Sequence, residues 1–291
     1  MNPGVVWALV AATGFAFLQV SNRKSNQQIG AYRTAFGLLA AVEVLLLLRA
    51  AVLGELGLIF TAPVGAVALF ATATFFHFVG GWTLLALSQQ RIGVARTGAL
   101  VSAAPLLGTL LAAVFLNEPL TWTILVGVVL ATVGVALISL SGGAASGEGW
   151  RNPWLALTVA TIWGASPILL RMGLERFEHP VLGLTIGLGL SVPLHGLLLA
   201  AFGMWREKRP PWSAVRWVLF GGVAGAIAVA AQWISFDLTT IAIAITVQQL
   251  AAPMVIALVP LMFKEPFERM NLQFFVGTAA MLAGSALVVL T

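Results

Sequence analysis

The chain reads as ten long apolar stretches separated by short polar gaps, falling near 4–20, 29–49, 62–87, 93–116, 121–140, 153–174, 180–203, 213–236, 240–263 and 272–290. A helix rises about 1.5 Å per residue, so about 20 apolar residues cross a hydrocarbon core about 30 Å thick. Each stretch therefore predicts one transmembrane helix, and the expected fold class is an all-α polytopic membrane protein. Short gaps make successive helices antiparallel neighbours and leave no room for a soluble domain between them. The turn-rich run from Gly142 to Asn152 (GGAASGEGWRN) falls at the midpoint and is read as a linker between 1–141 and 153–291. Arg23 and Lys24 follow the first stretch instead of preceding it, and no small-residue cleavage pattern is present, so that stretch is read as a retained helix and not a signal peptide.

The two flanking segments resemble each other. Ala86 to Leu140 aligns with Ser235 to Leu290 through ordered marks: Ala103-Ala104-Pro105 with Ala251-Ala252-Pro253, Glu118-Pro119 with Glu265-Pro266, and Gly127 and Gly134 with Gly277 and Gly284. Each half holds five spans, an odd number, so the second enters the membrane in the opposite direction. Inverted repeats of this kind recur in transporters, with a solute site near the midplane where the halves meet. A small-residue helix with an internal Pro, a short acidic turn and a Gly-spaced final helix, occurring twice in ten spans, resembles the EamA family of the drug/metabolite transporter superfamily. Trp163-Gly164 matches a Trp-Gly often found in the opening helix of such a repeat, where the first half has Gly14-Phe15. The resemblance implies a ten-helix solute carrier, often an exporter of metabolites, amino acids or toxic compounds. It also implies cytoplasmic termini.

Composition excludes other classes. With 60% apolar and 9% charged residues, the chain cannot build a water-facing surface, which in soluble domains carries roughly 25% charge. The net charge of +5 does not point to nucleic acid, because the Lys and Arg residues lie scattered in the gaps. They set topology instead: twelve of the fifteen fall in gaps one, three, five, seven and nine, which places both termini outside the cytoplasm of a plasma (inner) membrane. The absence of cysteine excludes disulfides and thiolate metal sites. No zinc-binding HExxH, nucleophile elbow or phosphate-binding Gly-rich loop appears, so neither an enzyme nor a bound cofactor or metal is expected. A channel would need a ring of charge that one chain does not display.

Polar groups at bilayer depth are costly and mark function by default. Thr246, Gln249 and Pro253 recur at helical spacing in the ninth span, where a proline should leave a backbone carbonyl without its donor. With Gln232 and Trp233 of the eighth span and His77 of the third, they are the candidate solute-binding residues. Glu43, His77 and Asp237 are the candidates for proton coupling, since a histidine titrates near neutrality; a salt bridge from Glu43 to Arg33, Arg96 or Arg171 is the competing reading. Pro105, Pro253, Glu118 and Glu265 are read as structural, with each Glu-Pro pair opening the helix that follows it. Thr121 to Leu140 carries no charge, as suits a peripheral or dimer-facing helix. The expected partners are a small solute, membrane lipid and a second copy of the chain. A non-transporting scaffold that keeps the repeat is the alternative, although it would not need a polar interior.

Overall fold

A computed structural model describes residues 2–141, 153–203, 209–263 and 271–291. Ten helices among them are long and apolar enough to cross a membrane: α1 (Pro3–Ile29), α2 (Ala31–Val52), α3 (Val64–Ile92), α4 (Val94–Phe115), α5 (Trp122–Leu140), α6 (Trp154–Leu174), α7 (Pro180–Ala201), α8 (Trp212–Leu238), α9 (Ile241–Phe263) and α10 (Leu272–Val289). The linker Gly142 to Asn152 and the pair Glu265-Pro266 lie outside the described residues.

The largest departure from the hydropathy pattern is at the end of α1. The helix continues nine residues past the apolar stretch, through Arg23 and Lys24, and stops at Ile29. Long basic side chains carry their charge to the interface while the backbone stays helical, so charge does not end this helix. Gly30 does, with φ 78° and ψ 161°, a conformation essentially confined to glycine. It is the sole residue between α1 and α2. Gly93 joins α3 to α4 in the same way, with φ 87° and ψ 159°. Arg23, Lys24, Arg33, Arg91 and Arg96 therefore sit in helix ends rather than in gaps.

Two helices are broken at matching depth. α4 consists of Val94–Val101 and Ala104–Phe115, and α9 of Ile241–Gln248 and Ala251–Phe263. The pieces are offset by 147 residues, from Val94 to Ile241 and from Ala104 to Ala251. Pro105 and Pro253 fall in the first turn after each break, where a backbone N–H has no intrahelical partner to lose. The carbonyl expected to be orphaned by Pro253 belongs to Gln249, and it accepts the Ala252 N–H at 2.9 Å. Thr246, Gln249 and Pro253 consequently do not share one continuous helix face. α3 carries a different irregularity, a π-helical turn over Phe75–Gly80.

The most extensive helix contacts all join the first five helices to the last five: α1 and α2 with α8, α5 with α10, α4 with α6, and α3 with α6 and α7. The halves are interleaved. Lipid tails are as apolar as Leu, so association depends on close approach at small residues. α5 and α10 pack antiparallel through the four repeated glycines: a Cβ on Gly127 would lie 2.8 Å from the Gly284 carbonyl oxygen, and one on Gly134 would lie 2.6 Å from that of Gly277. Between α3, α6 and α7, the fully buried Phe70 fills the space left by Gly173 and Gly183, and its ring lies 5.5 Å from that of Trp233.

Candidate functional site

A small cavity lies where α3, α6 and α8 meet. Its polar lining is His77, Ser166 and Gln232, and its apolar walls include Phe78, Pro167 and Trp233. At about 10 Å³ it has room for roughly one water molecule. A solute larger than water would need these helices to move apart.

The π-helical turn of α3 presents both ends of His77 to α6. Its Nδ1 lies 2.6 Å from Ser166 Oγ, and its backbone carbonyl accepts the Trp163 indole N–H at 3.0 Å. The two rings stack, with centroids 5.7 Å apart and planes 24° from parallel. Gly81 makes this approach possible, since a Cβ there would lie 2.4 Å from Trp163 Nε1. π-Helical turns inside α-helices are frequent at functional sites, because the extra residue redirects side chains and frees backbone groups. Pro167 acts alike in α6: it removes the donor that the Trp163 carbonyl would otherwise receive.

On the α8 wall, Gln232 donates to Gln248 Oε1 at 2.8 Å, with both side chains buried. Gln248 Nε2 and Thr246 Oγ1 are also buried and have no hydrogen-bond partner. A donor and a hydroxyl thus stand ready beside the break in α9. Of the sequence candidates, His77, Gln232 and Trp233 come together on one cavity, with Thr246 buried in the adjoining helix piece. Gln249 is half-buried at the break and does not line the cavity; its neighbour Gln248 is the residue that reaches Gln232. Asp237 sits at the end of α8, outside the cavity, where its backbone carbonyl accepts from Arg171 at 2.9 Å. Glu43 lies elsewhere, buried against α7. Ser166 is not among the sequence candidates; Trp163, one turn before Ser166-Pro167, is the signal in the sequence that points to it.

Glu118 caps a helix, but not the one that follows it. α5 begins at Trp122 with Thr121 as its cap, whereas both Glu118 carboxylate oxygens accept the Ile241 N–H at 2.9 Å, at the start of α9. Arg171 donates to the carbonyls of Phe236, Asp237 and Thr239 at the end of α8. The turn between α8 and α9 is thus held at its negative end by a cation and at its positive end by an anion, each matched to its helix dipole. Burial pushes the Glu118 carboxyl above the usual carboxylate range, and the Ile241 N–H, Arg171 and the Ala242 N–H pull it part of the way back.

Residues 2–140, which span α1 to α5, match the family model of the EamA-like transporter family. The match covers slightly less than half of the chain. A curated protein from Streptantibioticus cattleyicolor, described as a probable terminal-alkyne amino-acid exporter, is 29% identical over 122 residues. That alignment covers 42% of this chain and 35% of the relative's own length, so the match spans about a third of the exporter. A solved crystal structure superposes on the whole fold with a TM-score of 0.80 and 16% identity, covering 99% of this chain and 97% of the other. At that identity the likeness establishes the fold alone. Within the EamA-like match lie His77, Glu43 and Glu118; Ser166, Gln232 and Gln248 come from the half beyond it. The cavity joins the two. Among the described residues no group of His, Asp and Glu is placed to hold a metal ion.

Proposed function

We propose that this multi-pass membrane protein carries a small organic solute across the bilayer by alternating access, through the cavity between α3, α6 and α8. The observation that carries the reading is the set of hydrogen-bonding groups, His77, Ser166 and Gln232, converging from both halves on one cavity, with Gln248 bonded to Gln232 behind it. A scaffold would have no use for such a lining, given the cost of polar groups at this depth. Inversion of the halves 1–141 and 153–291 is supported by the 147-residue offset of the breaks in α4 and α9 and by the antiparallel glycine pairing of α5 with α10. In such a pair, each half exchanges conformation with the other and moves the opening from one side to the opposite one. The broken helices are the natural places for that exchange.

Solutes with an amino and a carboxyl group are the first class to try, supported by the exporter name of the Streptantibioticus relative. Reconstituted vesicles should accumulate some member of a radiolabelled amino-acid and metabolite panel, and uptake should fall about tenfold in both His77→Ala and Ser166→Ala, as expected for loss of one buried hydrogen bond worth about 1.4 kcal/mol. No uptake of any panel member would return the scaffold reading to first place. For orientation, the charge bias supports termini outside the cytoplasm of the inner membrane. The chain has no cysteine, so Thr291→Cys introduces a single thiol; its modification by an impermeant maleimide on whole cells is the expected result, and protection until lysis would reverse the assignment.

A further inference from the structure

The seam between α2 and α7 contains a buried carboxyl group that does not line the solute cavity. Glu43 is 6% exposed, and neither of its carboxylate oxygens has a hydrogen-bond partner. It faces the backbone of α7: a Cβ on Gly189 would lie 3.2 Å from Glu43 Oε1, so the missing side chain is what makes room for the carboxyl group. One heptad away the contact repeats, with Phe36 of α2 against Gly196 of α7.

Four residues beyond Gly189 stands Pro193, inside the helix. Proline has no N–H, so the Gly189 carbonyl loses its i+4 donor. In a membrane such a carbonyl must find another donor, because no water reaches it. The neighbouring hydroxyls are engaged elsewhere: Ser191 Oγ pairs with Thr74 Oγ1 at 2.8 Å, and Thr185 donates to Val181. A carbonyl that has lost its i+4 donor and a carboxyl group without a partner thus belong to the same glycine contact.

We propose that Glu43 is a proton-binding site, holding the proton on its carboxyl group and donating it to the Gly189 carbonyl that Pro193 leaves free. Other charges do not compete for the position. On α2 itself Arg33 is ten residues away, about 15 Å along the axis, and Arg49, about 9 Å away, is paired with Glu55 beside the short Leu56–Ile59 helix. The basic residues of α1, Arg23 and Lys24, lie in its last turns near Gly30. α8 has no titratable residue between Arg216 and Asp237, whereas Glu43 lies level with the Gly225 contact to Val42. From α3, His77 is bonded to Ser166 and Arg91 lies at the helix end. The remaining titratable group is His195 of α7, buried with Nδ1 unpartnered and its ring edge-to-face on Phe36 at 5.8 Å. It sits next to Gly196, on the seam between Glu43 and the Gly30 side. The proton comes from and returns to water, and no other species is consumed. Once the proton leaves, the carboxylate faces a carbonyl oxygen, so water must enter and the seam must loosen.

Infrared spectra of the intact protein in lipid nanodiscs, taken without any solute, read the proton directly through the carbonyl stretch of a protonated carboxyl group. At neutral pH the wild type should show such a band that disappears in Glu43→Gln and persists in Glu118→Gln. Pro193→Ala restores a backbone donor to Gly189 and should shift the band to the higher frequency of a less strongly bonded carboxyl group. If Glu43→Gln does not fold, Glu43→Asp should move the band instead. A spectrum unchanged by both Glu43 substitutions, or a band that Pro193→Ala leaves in place, would overturn the proposal. Under alkaline conditions that remove the band, amides of α2 and α7 should exchange hydrogen faster in the wild type than in Glu43→Gln; equal rates would count against loosening of the seam. No solute enters these measurements, so they succeed or fail independently of the transport reading.

Discussion

At the residue scale, Glu118 gives the sharpest expectation. Its folded-state carboxyl titrates above the usual range, chiefly because of burial, so the folded protein binds that proton more tightly than the unfolded chain does. The resulting stabilisation is complete below the ordinary carboxylate range and is lost as pH rises through the raised value. Glu118→Gln removes this dependence: melting temperatures in detergent should favour the wild type most in acid, with the difference shrinking as pH rises through the raised value. Glu118→Ala also strips the start of α9 of its acceptor and should lower stability at every pH, by about 1–2 kcal/mol. The glutamate itself was legible as a helix-end anion, yet the helix it serves was not. Glu118 is three residues before Thr121 in sequence and next to Ile241 in space, and only folding brings that turn to α9. His77 and Gln232 were readable because a polar group in an apolar run is conspicuous. Ser166 was not, since a serine satisfies itself easily within a helix and carries no comparable signal. Between Gln248 and Gln249, the choice depends on the break that follows them, which hydropathy does not register.

At the element scale, two kinds of glycine should fail differently. Gly30 needs its positive φ but has open space around it, with nothing within 4 Å of a Cβ built there; Gly30→Ala should cost about 1–3 kcal/mol through backbone strain alone. Gly284 is an ordinary helical residue, but a Cβ on it would lie 2.4 Å from the Gly127 carbonyl oxygen and 2.5 Å from the Ala131 nitrogen. Gly284→Ala must separate α5 from α10, and hydrogen exchange should rise in those two helices while the α1–α2 joint stays protected. Equal exchange across the protein for both variants would remove the distinction. The number and rough position of the helices follow from hydropathy, since an apolar run this long satisfies its backbone in lipid by coiling into a helix. Their true ends do not: α1 runs on through two basic residues because glycine geometry, not polarity, terminates it.

For the whole molecule, interleaving decides how the halves behave. α8 packs on α1 and α2, and α6 packs on α3 and α4, so neither set of five helices has its principal contacts within itself. Expressed alone, residues 1–141 or 153–291 should be degraded or aggregate, whereas co-expression should yield one complex in size-exclusion chromatography. A stable monomeric half would contradict this. The proposed repeat rests on Glu-Pro turns and spaced glycines, but hydropathy identifies which segments span and is silent on which spans touch.

The size of the cavity between α3, α6 and α8 has a consequence for the cell. Protons cross membranes rapidly where waters form an unbroken file, and a space for roughly one water surrounded by Phe78, Trp233 and Pro167 cannot supply one. In this state the cavity itself gives protons no file of waters to follow. Vesicles holding the protein without solute should therefore keep an imposed proton gradient as long as protein-free ones do.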